Sequence, residues 1–291
     1  MLHRWTAAWV GGAIAATTLV GVTGCARPAR PNQMISLDLS GPRPVALLKV
    51  GTHRPVKAIF DSGAGATIVN AHFARELGLP DQGDIDVGSP GASAPVKGTI
   101  TSISPARLGN AEIDDGRGIS MNFPPTIEEY SSIVSPNAFR GRLIRFEFSK
   151  GRAIVMDKTA ATIPRDNAAA YGGEDVHPLP AAEIEVAGRK LIAHLDSGSK
   201  YGLNLPLSLA KHLPLKGPLV AHEAVHMVGG KHKAYAARID GVVRIGPLSL
   251  KDPQVLFLEG VPPIGNVGIQ VLKQLTLVLD PEEMRAWLLK R

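Results

Sequence analysis

The feature that most constrains this chain is a repeat of itself. Val50 to Pro80 reads VGTHRPVKAIFDSGAGATIVNAHFARELGLP, and Val186 to Pro214 reads VAGRKLIAHLDSGSKYGLNLPLSLAKHLP. Each copy runs through a polar turn, an apolar strand, Asp-Ser-Gly with a small residue after it, a second apolar stretch and a short helix. The triplets Asp61-Ser62-Gly63 and Asp196-Ser197-Gly198 begin 135 residues apart, a domain-sized period too long for a solenoid. The period suits a duplicated chain with two similar lobes.

Local chemistry assigns the elements of each copy. Val56, Ala58 and Phe60 alternate with Lys57 and Ile59 before Asp61, as Leu191, Ala193 and Leu195 do before Asp196, so short strands lead into both turns. Gly63 and Gly198 open backbone angles closed to other residues and let a second chain segment approach. Asn70 caps a predicted helix from Ala71 to Leu77, with Phe73 and Leu77 on one face and Gly78 ending it. Pro206 suits the first turn of the matching helix, which runs toward His212. The halves also end alike, with Ile133-Val134-Ser135-Pro136-Asn137 before the alternating strand Leu143 to Phe148, and Ile264-Gly265-Asn266 before Leu275 to Leu279. With 31 Gly, 23 Pro and only 5% aromatic residues, many short strands and turns are expected rather than long helices. An all-β, bilobal fold with short helices follows.

The repeat also sets the boundaries. Residues 34–159 form the expected N-terminal lobe, 160–178 an Ala-, Gly- and acid-rich linker, and 179–291 the C-terminal lobe. Residues 1–24 read as a signal peptide, with a basic start at His3 and Arg4 and an uncharged run from Trp5 to Val22. Val22-Thr23-Gly24-Cys25 resembles a bacterial lipoprotein signal, whose Cys becomes the lipidated first residue. Residues 25–33 then serve as a tether. That predicts a lipid anchor on the extracytoplasmic face of a bacterial membrane. Cys25 is the sole cysteine, which excludes an intramolecular disulfide. A net charge of +6 comes from dispersed Lys and Arg, so no nucleic-acid partner is expected.

Both halves resemble the pepsin/retropepsin-like aspartic proteases, in particular the bacterial membrane-anchored relatives of retropepsin. In that family each lobe supplies one Asp-Thr/Ser-Gly loop, and a hydrophobic-hydrophobic-Gly segment near the lobe's end packs beneath it. Ile264-Gly265, after Pro263, is taken as this segment in the second half; Ile133-Val134-Ser135 departs from it with Ser in place of Gly. The resemblance implies an aspartic endopeptidase with Asp61 and Asp196 as the catalytic pair, steadied by Ser62, Gly63, Ser197, Gly198 and Ser199. It implies no cofactor, a protein or peptide substrate, and a monomer with both aspartates in one chain.

Two carboxyl groups held together cannot easily both ionise, so they share one proton. The charged member can act as base toward water while the protonated member donates to the substrate carbonyl. Ser199, with a hydroxyl where the first loop has Ala64, is expected to donate to Asp196. Asp196 is then the more acidic member and Asp61 the holder of the proton. Flap segments are placed at Val87 to Ile103 and Val220 to Ala237.

A second chemistry is written in the chain. His222-Glu223-Ala224-Val225-His226-Met227-Val228-Gly229-Gly230-Lys231-His232 matches the H-E-x-x-H-x-x-G-x-x-H string of zinc peptidases, in which His222, His226 and His232 would bind metal and Glu223 would act as base. Zinc chemistry needs the first two His on one helix face. Val220, Val225 and Val228 are β-branched, however, and Pro218 shortens any helix. The stretch reads better as a hairpin turning at Gly229-Gly230, with no metal bound. The remaining histidines show no ligand spacing, and His194 is expected to face away from the aspartates. A third reading keeps the fold but makes it a catalytically silent binding module.

Overall fold

The computed structural model describes residues 30–88, 94–158, 168–172 and 179–291. Cys25, the apolar leader and most of the expected linker lie outside the described residues. Among those described, the strands form two nine-stranded sheets, one in each half, and a six-stranded sheet to which both halves contribute. The fold is all-β and bilobal, and the described residues include three short α-helices, Ala71–Glu76, Leu207–Ala210 and Ile269–Leu272.

The two nine-stranded sheets match strand for strand. The first runs Asp84–Val87, Val96–Ser102, Arg117–Met121, Thr67–Asn70, Ser132–Val134, Val56–Phe60, Val45–Val50, Ala106–Leu108, Ala111–Glu112. The second runs Leu215–Met227, Gly230–Ile239, Gln254–Leu258, Leu203–Pro206, Gly265–Gly268, Arg189–Asp196, Ala181–Val186, Val242–Ile245, Leu248–Lys251. In each, the strand that delivers the Asp lies parallel to one from late in the same half. Val134 stands opposite Phe60 in the first, and Gly268 stands opposite Asp196 in the second.

That register corrects the sequence alignment of the closing segment. The counterpart of Ile133-Val134-Ser135 is Asn266-Val267-Gly268, and Gly265 sits three residues too early. Two glycines lie close together there, and Asn266 breaks the apolar pattern that would have marked the right one.

The third sheet joins the lobes. Its order is Gln33–Ser36, Arg152–Asp157, Arg142–Glu147, Leu275–Asp280, Arg285–Lys290, Ala169–Ala170. At its centre Ile144 faces Leu279 and Phe146 faces Leu277 across the halves. Phe60, directly before Asp61, packs at 4.8 Å from Phe146 and 5.8 Å from Phe139, and Phe146 stacks on Phe148 at 5.3 Å. All four are fully buried, each worth about 1.5–3 kcal/mol on removal from water. The first Asp loop is therefore anchored in the seam between the lobes.

The expected helix starts are found with one change. The Asn70 side chain accepts from the His72 N–H at 2.9 Å, and Gly78 takes a left-handed φ of 61° just past the helix. Pro206 stays extended, with ψ 137°, and precedes its helix rather than opening the first turn. Both expected flap segments overlap antiparallel pairs that begin earlier in the chain, Asp84–Val87 with Val96–Ser102 and Leu215–Met227 with Gly230–Ile239. Among the described residues no helix is long and apolar enough to cross a membrane.

Candidate active site

The two Asp-Ser-Gly loops meet and grip each other. Ser62 N–H donates to Ser197 Oγ at 2.9 Å, and Ser197 N–H donates to Ser62 Oγ at 2.9 Å. Each hydroxyl then donates to the carbonyl that precedes the other aspartate, Ser62 to Leu195 at 2.7 Å and Ser197 to Phe60 at 3.2 Å. Both serines are fully buried. Each hydroxyl commits its single O–H to the opposite backbone carbonyl, so these groups tie the loops together.

The glycines set how closely the carboxyls approach. A Cβ on Gly198 would stand 2.2 Å from Asp61 Oδ2, and one on Gly63 would stand 2.8 Å from Asp196 Cγ. Each loop thus leaves, at its glycine, the space that the opposite carboxyl fills. No larger residue fits at either position.

The carboxyls are solvated differently by the protein. Asp61 Oδ1 accepts from the N–H groups of Gly63 at 2.8 Å and Gly198 at 2.9 Å. Asp196 accepts on both oxygens, from Ser199 N–H at 2.8 Å and from the Asn266 side-chain amide at 2.7 Å. Burial, and then the adjacent Asp196 charge, push the Asp61 carboxyl up to about 7 against the opposing pull of its backbone donors and Arg43. The contact from Ser199 comes from its backbone, not its hydroxyl, and any residue at that position could make it. The hydroxyl that distinguishes Ser199 from Ala64 therefore makes no contact with Asp196, whose one side-chain donor among the described residues is Asn266.

Behind the loops the halves use related supports. Ser135, in the glycine position of the first half, donates its hydroxyl to the Ala64 carbonyl at 2.6 Å. Gly268 does the same task by closeness, since a Cβ there would lie 2.3 Å from the Tyr201 carbonyl oxygen. Two residues on, the Asn137 amide donates to the Gly65 carbonyl at 2.7 Å and the Gln270 amide to the Lys200 carbonyl at 2.9 Å. Sequence reasoning missed this matched pair, which becomes visible only once Ser135 is aligned with Gly268. It also missed Arg43, whose Nε donates to the Gly198 carbonyl at 2.8 Å from a loop ahead of the first repeat.

His194 shares a strand face with Asp196, two residues on, and its ring bonds to the backbone of Gly172. The side chain is buried. Burial holds its pKa below the usual histidine value.

The string from His222 to His232 forms a hairpin as its β-branched residues predict, but the turn is Val228-Gly229, one residue ahead of the expected Gly229-Gly230, since Met227 pairs with Gly230. Val225 pairs with His232 and His226 with Lys231, so His226 and His232 point to opposite faces. His232 is buried with Nδ1 at 3.0 Å from the Glu259 carbonyl. Glu223 pairs with Lys200 at 3.2 Å, and His222 lies edge-on to Tyr201 at 6.2 Å. Among the described residues no three or more His, Cys, Asp or Glu side chains group to hold a metal.

A protein-family model described as aspartyl protease matches the chain over residues 46–122 and 182–271, one region around each loop. A comparison with curated proteins gave no match.

Proposed function

Because the chain belongs to the aspartyl protease family, we propose that it is an aspartic endopeptidase in which Asp61 and Asp196 of one molecule share a proton and activate water. The observation that carries this reading is the mutual grip of the two loops, which holds two unlike carboxyls against each other. Asp61, raised to about 7, keeps its proton through mildly acidic pH and serves as the acid toward the substrate carbonyl. Asp196, acceptor on both oxygens, serves as the base that takes a proton from water. The attack gives a tetrahedral gem-diol. Its collapse breaks the C–N bond: Asp196 passes the proton it took from water to the departing amine nitrogen, and a gem-diol hydroxyl gives its proton to Asp61, which restores the starting state. An extended peptide lying across the loops, between the two edge hairpins, would be held by backbone hydrogen bonds.

The substrate is protein or peptide outside the cytoplasm, and the protein is monomeric and lipid-anchored through Cys25 in the cell envelope. This placement rests on the leader sequence; incorporation of labelled palmitate that is lost in Cys25→Ala tests it. For catalysis, the full chain in mild detergent is assayed on denatured protein. Asp61→Asn and Asp196→Asn each lower kcat by roughly 10²–10⁴-fold, the range of a lost general acid or base. Glu223→Gln and a metal chelator leave the rate unchanged. Activity that survives both Asp changes and falls with chelator would establish the zinc reading; no cleavage at any pH would establish a binding module.

A further inference from the structure

We propose that Asn266 is a positioning residue: from a buried polar row with His194 and Asn204, it holds Asp196 as the carboxylate of the pair. The proposal rests on the aspartic-dyad reading above and adds to it the device that makes the two acids unequal.

The repeat itself supplies the control. Asn266 is paired across the sheet with His194 on one side and Asn204 on the other. The matching positions in the first half are Ile133, paired with Ile59 and Ile68. The same strand framework therefore folds with three isoleucines in one lobe and with His, Asn and Asn in the other. Polarity is not required by the fold at these places. Nor is it comfortable: His194 and Asn204 are 5% and 6% exposed, and His194 Nε2, Asn204 Oδ1 and Asn266 Oδ1 have no hydrogen-bond partner among the described residues. Unpaired buried polar atoms destabilise a fold, so such a row needs a compensating role. The Asn266 amide provides one, at 2.7 Å from Asp196 Oδ2. An ionised carboxylate accepts more strongly than a protonated carboxyl, so the NH2 end of Asn266 turned to Asp196 favours the ionised form. Ile133 offers Asp61 nothing comparable.

Few other charges compete for this role. Among the described residues, the ionisable groups shown at the pair are Asp61 from the opposite loop, Arg43 bonded to the Gly198 carbonyl, and His194 on the Asp196 strand, while Lys200, farther along the Asp196 loop, is paired with Glu223. His194 is held neutral by burial, and the neighbouring strands Leu203–Pro206 and Gly265–Gly268 carry no ionisable residue.

The test follows the carboxyl titrations and the Asn266 side-chain amide by NMR in the full chain, beside the pH dependence of kcat/KM. In the wild type one Asn266 amide proton is shifted and slow to exchange near neutral pH, and loses both properties as the lower titration of the pair is crossed in acid. Asn266→Leu, similar in volume but without a donor, moves that lower titration up by about one pH unit, and the acid limb of kcat/KM moves with it. Asn266→Thr, which keeps a donor, falls between the two. An unmoved lower titration in Asn266→Leu would overturn the proposal. So would a wild-type amide that ignores the titration, a result that needs no variant to fold. If the titration moves but no cleavage is detected in any form, the positioning of Asp196 stands and the peptidase reading fails.

Discussion

At the scale of single residues, the site turns on what each side chain is forbidden to be. Gly63 and Gly198 must lack a Cβ because the opposite carboxyl occupies that space. Ser62 and Ser197 must carry a hydroxyl because each closes the grip twice. Asp61 bears the cost of this closeness. Its folded value of about 7 lies above the ordinary 3.8, so between those values the native state keeps a proton that the unfolded chain has released. Stability contributed by this group is therefore full below about pH 4 and is lost as pH rises through about 7. The loss has a ceiling on the order of 4 kcal/mol, lowered because part of Asp61 faces solvent. Asp61→Asn cannot ionise, so it is expected to be more stable than the wild type at pH 8 and no more stable at pH 3.5. Denaturant titrations at the two pH values measure this.

At the scale of elements, the supports behind the loops differ in kind while doing one job. Gly268→Ala drives a methyl into the Tyr201 carbonyl, so it is expected to cost at least the roughly 1–3 kcal/mol of an overpacked core and to lower activity by displacing Asp196. Thermal unfolding and kcat together check it, and an Ala variant with wild-type values for both would refute the packing. The elements were largely legible from the chain. Alternation gave the strands into Asp61 and Asp196, Asn70 and Gly78 gave the ends of a helix, and β-branched valines with two glycines gave the hairpin from His222 to His232. What could not be read was pairing between distant strands. The alignment of Ser135 with Gly268 depends on which residue lies opposite Asp196, and a neighbouring glycine at 265 satisfied the local pattern equally well. Asn266, Gln270 and Asn137 were hidden by that one slip, whereas the face His194 shares with Asp196 was available from the strand's two-residue period. Arg43 was hidden for a different reason, since it reaches the site from outside the repeat.

At the scale of the whole molecule, duplication has produced likeness in the frame and difference at the centre. Two sheets of identical strand order bring matching Asp-Ser-Gly triplets together, and a third sheet, with Phe146 opposite Leu277, ties one lobe to the other beneath them. The frame sets the two acids side by side; the polar row behind one of them makes them unequal. The central claim is that this pair hydrolyses peptides with Asp61 as its proton donor. The most direct test is kcat/KM on a denatured protein substrate, measured from acid to alkaline pH for the wild type and for Asp61→Asn. The account predicts activity that falls as pH rises through about 7, where Asp61 loses its proton, and that is lost in the variant at every pH. A rate that climbs through neutrality and persists in Asp61→Asn would contradict it.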